Sequence, residues 1–173
     1  MTTIILTIIG ILLAAAAALM VIFYGGDAFN SGTVGAQANQ LQNGGTNVIS
    51  AAQMFKAEQA IAPTSLAELT QTGANRPNGA YLDELPALAT GQAATLVSAG
   101  TPARQLYVVS GVSEAVCDRV NTNLRLAPAQ LTVVNVAPPA DAAGAAALAI
   151  GANAPKMGCY GNAETGNFFV ARA

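Results

Sequence analysis

The sequence predicts an α+β protein: a long N-terminal α-helix, part apolar anchor and part amphipathic, packed on a small antiparallel β-sheet head. Three observations predict it. The chain opens on a long apolar run without charge, a heptad seam follows, and short β-branched segments bounded by Pro and Gly stand farther on. The expected organisation is a transmembrane or core helix over 1–26 and a head over 27–173.

The apolar run reads IILTIIGILLAAAAALMVIFY from Ile4 to Tyr24, interrupted only by Thr7 and Gly10. As a helix it extends roughly 30 Å, about one bilayer core. A cleaved secretory signal has a basic start and a shorter apolar core. Neither is present, because no charged residue occurs from Met1 to Gly26. Single-span anchors usually carry Lys or Arg on the cytoplasmic side. The bare start leads us to expect that a short basic leader is removed, with Met1 as the mature terminus. A plain single-span anchor is the simpler alternative.

A second helical pattern follows Gly25-Gly26-Asp27. Val34, Ala38, Leu41, Gly45, Val48, Ala52 and Phe55 alternate spacings of four and three, an unbroken seam. Small residues (Ala38, Gly45, Ala52) would let a neighbouring backbone approach closely. The flanks are polar but uncharged, and no charge appears between Asp27 and Lys56. Packing on its own domain explains the seam; cover by other subunits explains the uncharged opposite face. Glycine weakens a helix by about 1 kcal/mol relative to Ala. A kink or local unwinding is therefore expected at Gly25-Gly26, with Gly44-Gly45 a weaker candidate.

Pro63 ends the pattern, and Thr64 or Ser65 can cap a short turn through Leu69. A turn-rich loop, QTGANRPNGAYLDELP, comes next. Gln105–Ser110 is the best strand in the chain, Gln130–Val136 reads as a second and Asn167–Ala171 as a last short one. Ser113 to Leu126 reads as a helix with Ser113 as N-cap. The stretches 72–104 and 137–158 are expected to be loops.

Cys117 and Cys159 are the only cysteines. Behind a membrane anchor the head lies outside the cytoplasm, where a disulfide persists. A metal site needs more ligands than two cysteines without histidine, and a redox pair would usually be CxxC. A structural disulfide is the expectation, worth about 4 kcal/mol for a loop of this length in the chain-entropy model.

Composition narrows the function. Only 9% of the 173 residues are charged, against about 25% in an ordinary soluble domain. Such a surface, rich in small side chains, suits close subunit packing. The seven Lys and Arg never cluster, so no phosphate-neutralising patch exists for nucleic acid. Histidine is absent, which removes the commonest general base. Asp83-Glu84 and Glu114/Asp118 are explained by a turn and a solvated helix face. Neither catalysis nor a cofactor is expected.

Taken together, the apolar helix, its amphipathic continuation, the small sheet and the late disulfide resemble the type IV pilins. GVSEAVCDRVNTNL looks like the element of the type IVb branch, that of the toxin-coregulated and bundle-forming pilins, in which a helix carries the first disulfide cysteine. KMGCYGNAETGNFFVARA resembles the segment carrying the second and a final strand. AQMFKAEQAIAPTSLAEL with YLDELP is similar to the region where the pilin helix leaves for its loop. An initial Met, as here, is frequent in that branch.

The resemblance implies a subunit held in the inner membrane and then extracted by assembly machinery into an extracellular homopolymer. Ile4, Ile5, Ile8, Ile9, Leu12, Leu13, Leu19, Val21 and Phe23 would pack the filament core, with flexibility at Gly25 and Gly26. It also implies a prepilin peptidase that N-methylates Met1, and host-cell or phage contacts through the loops. One departure stands out: the family's glutamate at the fifth mature position is Ile5 here, with only the hydroxyls of Thr2, Thr3 and Thr7 nearby. Three explanations compete: the numbering starts elsewhere than the mature terminus, the subunit is minor, tip-located or pseudopilin-like, or the filament does without that salt bridge. A monomeric anchored binding or adhesion protein is the remaining rival; it predicts exposed charge along the 28–58 helix, where none occurs before Lys56.

Overall fold

The computed structural model describes residues 2–70, 80–99, 104–126, 154–162 and 166–172, excluding the side chains of 2–3, 22–28 and 162. The described chain comprises α1 (Thr2–Gln59), α2 (Ala67–Thr70), β1 (Ala93–Ala99), β2 (Arg104–Val112), α3 (Glu114–Asn123), β3 (Met157–Asn162) and β4 (Gly166–Arg172). The strands form one antiparallel sheet of order β1-β2-β4-β3. Two compact units are present, Met1–Ala36 and Gln37–Ala173; the expected division was at residue 26.

In the first unit, the helix is continuous through Gly25-Gly26, so the local unwinding expected there is absent. Helix hydrogen bonding outweighs the glycine penalty of about 1 kcal/mol per residue.

In the second unit, the seam of α1 faces inward. Ala38, Leu41, Gly45, Val48, Ala52 and Phe55 are buried, and Val34, in the first unit, is half-buried. Contact with the sheet is close at Gly45, where an added methyl would meet Phe169 Cε1 at 2.9 Å and Ala171 Cβ at 3.0 Å. At Gly45 the close approach anticipated for the small residues is thus made by the chain's own sheet. By register, Tyr107, Val109 and Cys159 share the face of Phe169 and Ala171. The other face carries a second buried cluster of Leu106, Val108, Tyr160, Phe168 and Val170, with Val97 and Ala99 against it.

The end of α1 is pinned. Phe55 packs against Tyr81 in a tilted pair with ring centroids 5.4 Å apart, and the Tyr81 hydroxyl donates to Glu58 at 2.5 Å. The N–H groups of Tyr81 and Leu82 both donate to the Leu69 carbonyl. Thr64 does not cap α2 by accepting a bond; its N–H and hydroxyl donate to the Glu68 carboxylate. Gln40 Nε2 donates to Ala87 O at 2.8 Å, tying the 80s segment to the middle of α1.

Two expected loops contain strands. β1 lies within 72–104, and β3 begins at Met157, inside the expected 137–158 loop. Both are short, and their residues (AATLVSA, MGCYGN) carry little strand signal of their own. Pairing with the strongly β-forming β2 and β4 recruits them. The expected strand Gln130–Val136 lies outside the described residues.

The register of β2 with β4 shifts by one residue at a bulge between Ser110 and Val112. Gly111 occupies it at φ +74, and a Cβ there would lie 2.3 Å from the Gly91 carbonyl oxygen. Only glycine satisfies both conditions.

Ser113 is the N-cap of α3, as expected, although its side chain makes no capping bond. Its C-terminus is a full Schellman arrangement: Arg125 N–H donates to Thr122 O, and Leu126 N–H to Asn121 O. The left-handed position is held by Arg125 at φ 54, where a Cβ costs about 1–2 kcal/mol. Arg125→Gly is therefore expected to stabilise the head by about 1 kcal/mol, measured by chemical denaturation of the detergent-solubilised chain. A neutral or destabilising result would mean that the guanidinium makes a contact worth the strain.

Candidate assembly surface

The first group of functional residues is the apolar half of α1. Ile4–Val21 is the one described helical stretch long and apolar enough to cross a membrane, by length and composition, and none of it is buried. Ile4, Ile5, Ile8, Ile9, Leu12, Leu13, Leu19 and Val21 are each 50–72% exposed. A soluble monomer does not leave that much contiguous apolar surface in water. By length and composition the stretch could serve as a membrane anchor or a signal sequence. Met1 lies outside the described residues, as does the side chain of Phe23.

The second group is the outward face of α1 in the head. Asn39, Asn43, Thr46, Asn47, Ser50 and Gln53 are exposed, and Met54 and Ile61 lie open beyond them. A face of amides and hydroxyls can be covered at lower desolvation cost than a charged one.

The third group is the disulfide. Cys117 of α3 and Cys159 of β3 are bonded, Cα atoms 5.3 Å apart, and both are buried. Asn121, one helical turn beyond Cys117, adds a second fastening: its Oδ1 accepts from Cys159 N–H at 2.9 Å and its Nδ2 donates to Cys159 O at 3.4 Å. Sequence reasoning missed Asn121. The only signal for it was its i+4 spacing from Cys117 on the helix.

No protein-family model matches this chain, and neither a curated protein nor a solved structure matches it. The architecture itself, a long N-terminal helix, a small antiparallel sheet and a disulfide late in the chain, is consistent with the general plan of the type IV pilins.

Among the described residues no group of three or more His, Cys, Asp or Glu is arranged to hold a metal ion. The shifted titrations are those of core tyrosines. Burial pushes the Tyr107 hydroxyl up to about 12 from 10.0. Tyr160 is also raised by burial, against a lowering influence from the Arg172 charge, and its hydroxyl finds no hydrogen-bond partner among the described residues. The unfolded chain releases the Tyr107 proton near pH 10, whereas the folded chain keeps it to about 12. This contribution to stability is therefore full below pH 10 and is lost as pH rises toward 12, by roughly 2–3 kcal/mol for Tyr107. Denaturant midpoints measured across that window should fall, and less steeply in Tyr107→Phe. Identical slopes would show that Tyr107 ionises freely when folded.

Proposed function

We propose that this chain is a structural, non-enzymatic subunit of a type IV pilus-like filament, nearest in kind to the type IVb branch. The observation that carries this reading is the wholly exposed apolar stretch Ile4–Val21 at the start of a helix whose later residues are built into a disulfide-bonded head. In the precursor, that stretch lies in the inner membrane. In the filament, it packs against the same stretch of other subunits, so apolar surface passes from lipid to protein without entering water. The uncharged outer face of residues 39–54 then borders neighbouring subunits.

The partners of this reading are other copies of the chain, the pilus assembly machinery, a prepilin peptidase that methylates Met1, and the membrane. Host-cell or phage contacts fall to the head of the assembled extracellular filament. Ile5 favours a second reading, a membrane-anchored minor pilin or pseudopilin, because no carboxylate is available there to neutralise a neighbour's N-terminal amine.

Electron microscopy of material sheared from producing cells, with helical averaging, tests the first reading. Thin filaments with residues 1–24 bundled at the centre are expected. Discrete particles in detergent, with the 28–58 helix exposed, would instead favour the minor subunit or a monomeric anchored binding protein.

A further inference from the structure

The sheet has two edges, and the fold treats them differently. At the β3 edge, the Asn121 side chain stands in for a further strand, bonding both backbone groups of Cys159, and the disulfide fastens the same residue to α3. At the other edge, β1 pairs regularly with β2 along all of Ala93–Ala99, and no described residue pairs with its outer side. Natural proteins blunt an open edge with charge, proline, a bulge or a covering element. The sequence AATLVSA has no charge and no proline, and the irregularity in β2 lies on its β4 side.

We propose that β1 is a strand-addition edge and that its occupant is β1 of a second copy, paired antiparallel about Leu96. Residues opposite one another in an antiparallel pair must share a face, so the two-fold axis passes midway between one residue and its own counterpart, and Leu96 is the middle residue of β1. Leu96 then meets Leu96, Thr95 meets Val97, Ala94 meets Ser98 and Ala93 meets Ala99. Leu96 and Val97, half-buried in one chain, are covered by their counterparts, while the ends of the contact carry only small side chains.

Charge argues for a second copy as occupant. The nearest cation, Arg104, is the β2 partner of Ala99, and across the new contact that row continues through Ala93 to Ser110 of the other copy. No like charges face each other, and the whole chain carries only −2, so heads repel weakly. The axis is perpendicular to the sheet, so the α1 segments of the two heads run antiparallel. Heads of oppositely directed assemblies are joined. One such strand pair buries far less than the roughly 1,000 Å² of a stable interface; lasting attachment needs many heads displayed together, and that point alone rests on the filament reading.

Cysteine cross-linking of the full chain in producing cells tests the register. The native cysteines are bonded to each other and none is free, so an introduced thiol is the only reactive one. Under mild oxidation, Leu96→Cys should give covalent dimers at least tenfold above Thr95→Cys or Val97→Cys alone. Mixed cells, half carrying Thr95→Cys and half Val97→Cys, should restore the dimer; this mixture carries the test if Leu96→Cys misfolds. Adding Thr95→Lys to Leu96→Cys should cut the yield tenfold. The proposal is overturned by dimers no more frequent at position 96 than at 95 alone. Equal cross-linking at every position, or cross-links from β1 to a different protein, would also overturn it. Register-specific dimers without filaments in the microscope would retain β1 pairing and reject the filament; filaments lacking these cross-links would do the reverse.

Discussion

Replacing Cys117 and Cys159 together by alanine is expected to destabilise the head by about 4 kcal/mol. The bond closes a loop of 42 residues in sequence separation, and most of its effect is to restrict the unfolded chain. Alanine avoids leaving an unpaired hydroxyl where both sulfurs are buried. Urea unfolding of the detergent-solubilised chain, compared with the intact protein, measures the loss. The slope with denaturant should also rise, since the unlinked chain exposes more surface on unfolding. Against a typical stability of about 5–15 kcal/mol, such a loss should reduce the amount of folded head recovered from producing cells. A change below about 1 kcal/mol would mean that the Asn121 clasp and α3–β3 packing hold the region unaided.

Gly45→Val is expected to cost about 3 kcal/mol or more, because the first added carbon already lies 2.9 Å from the Phe169 ring and 3.0 Å from Ala171 Cβ. Phe169 and Ala171 are themselves fully buried, so neither can move aside cheaply. Gly45→Ala should fall between, since its gain in helix propensity of about 1 kcal/mol partly offsets the overpacking. Gly35→Ala is the control. A Cβ there meets nothing within 4 Å, so this change should stabilise α1 by about 1 kcal/mol. Thermal melts of the three variants under one detergent condition give the order. Equal effects at 35 and 45 would show that α1 does not press on β4 at Gly45.

Much of the candidate assembly surface was legible because it depends on local chemistry. An unbroken apolar run from Ile4 announces a segment that water rejects. The seam from Val34 to Phe55 has a period that allows only one buried stripe. The two cysteines have no partner but each other. β1 and β3 were not legible: in isolation their residues resemble a loop, and they become strands by pairing with β2 and β4. Asn121 was hidden for a related reason. An exposed-looking asparagine on a helix acquires its role only when Cys159, far along the chain, is brought against it.

The sequence by itself therefore determined the α+β class, the long helix with its apolar and seamed halves, the strands at Gln105–Ser110 and Asn167–Ala171, and the disulfide. These follow from periodicity, length and the absence of charge, which act over a few turns or one strand. Only the tertiary structure decided that Gly45 of the seam is spent on the chain's own sheet, that β1 and β3 join that sheet as strands, and that Asn121 clasps the β3 edge while no described residue pairs with the outer side of β1. Those outcomes turn on contacts between residues distant in sequence. Their energies depend on which backbone comes within reach, and residue type alone does not record that.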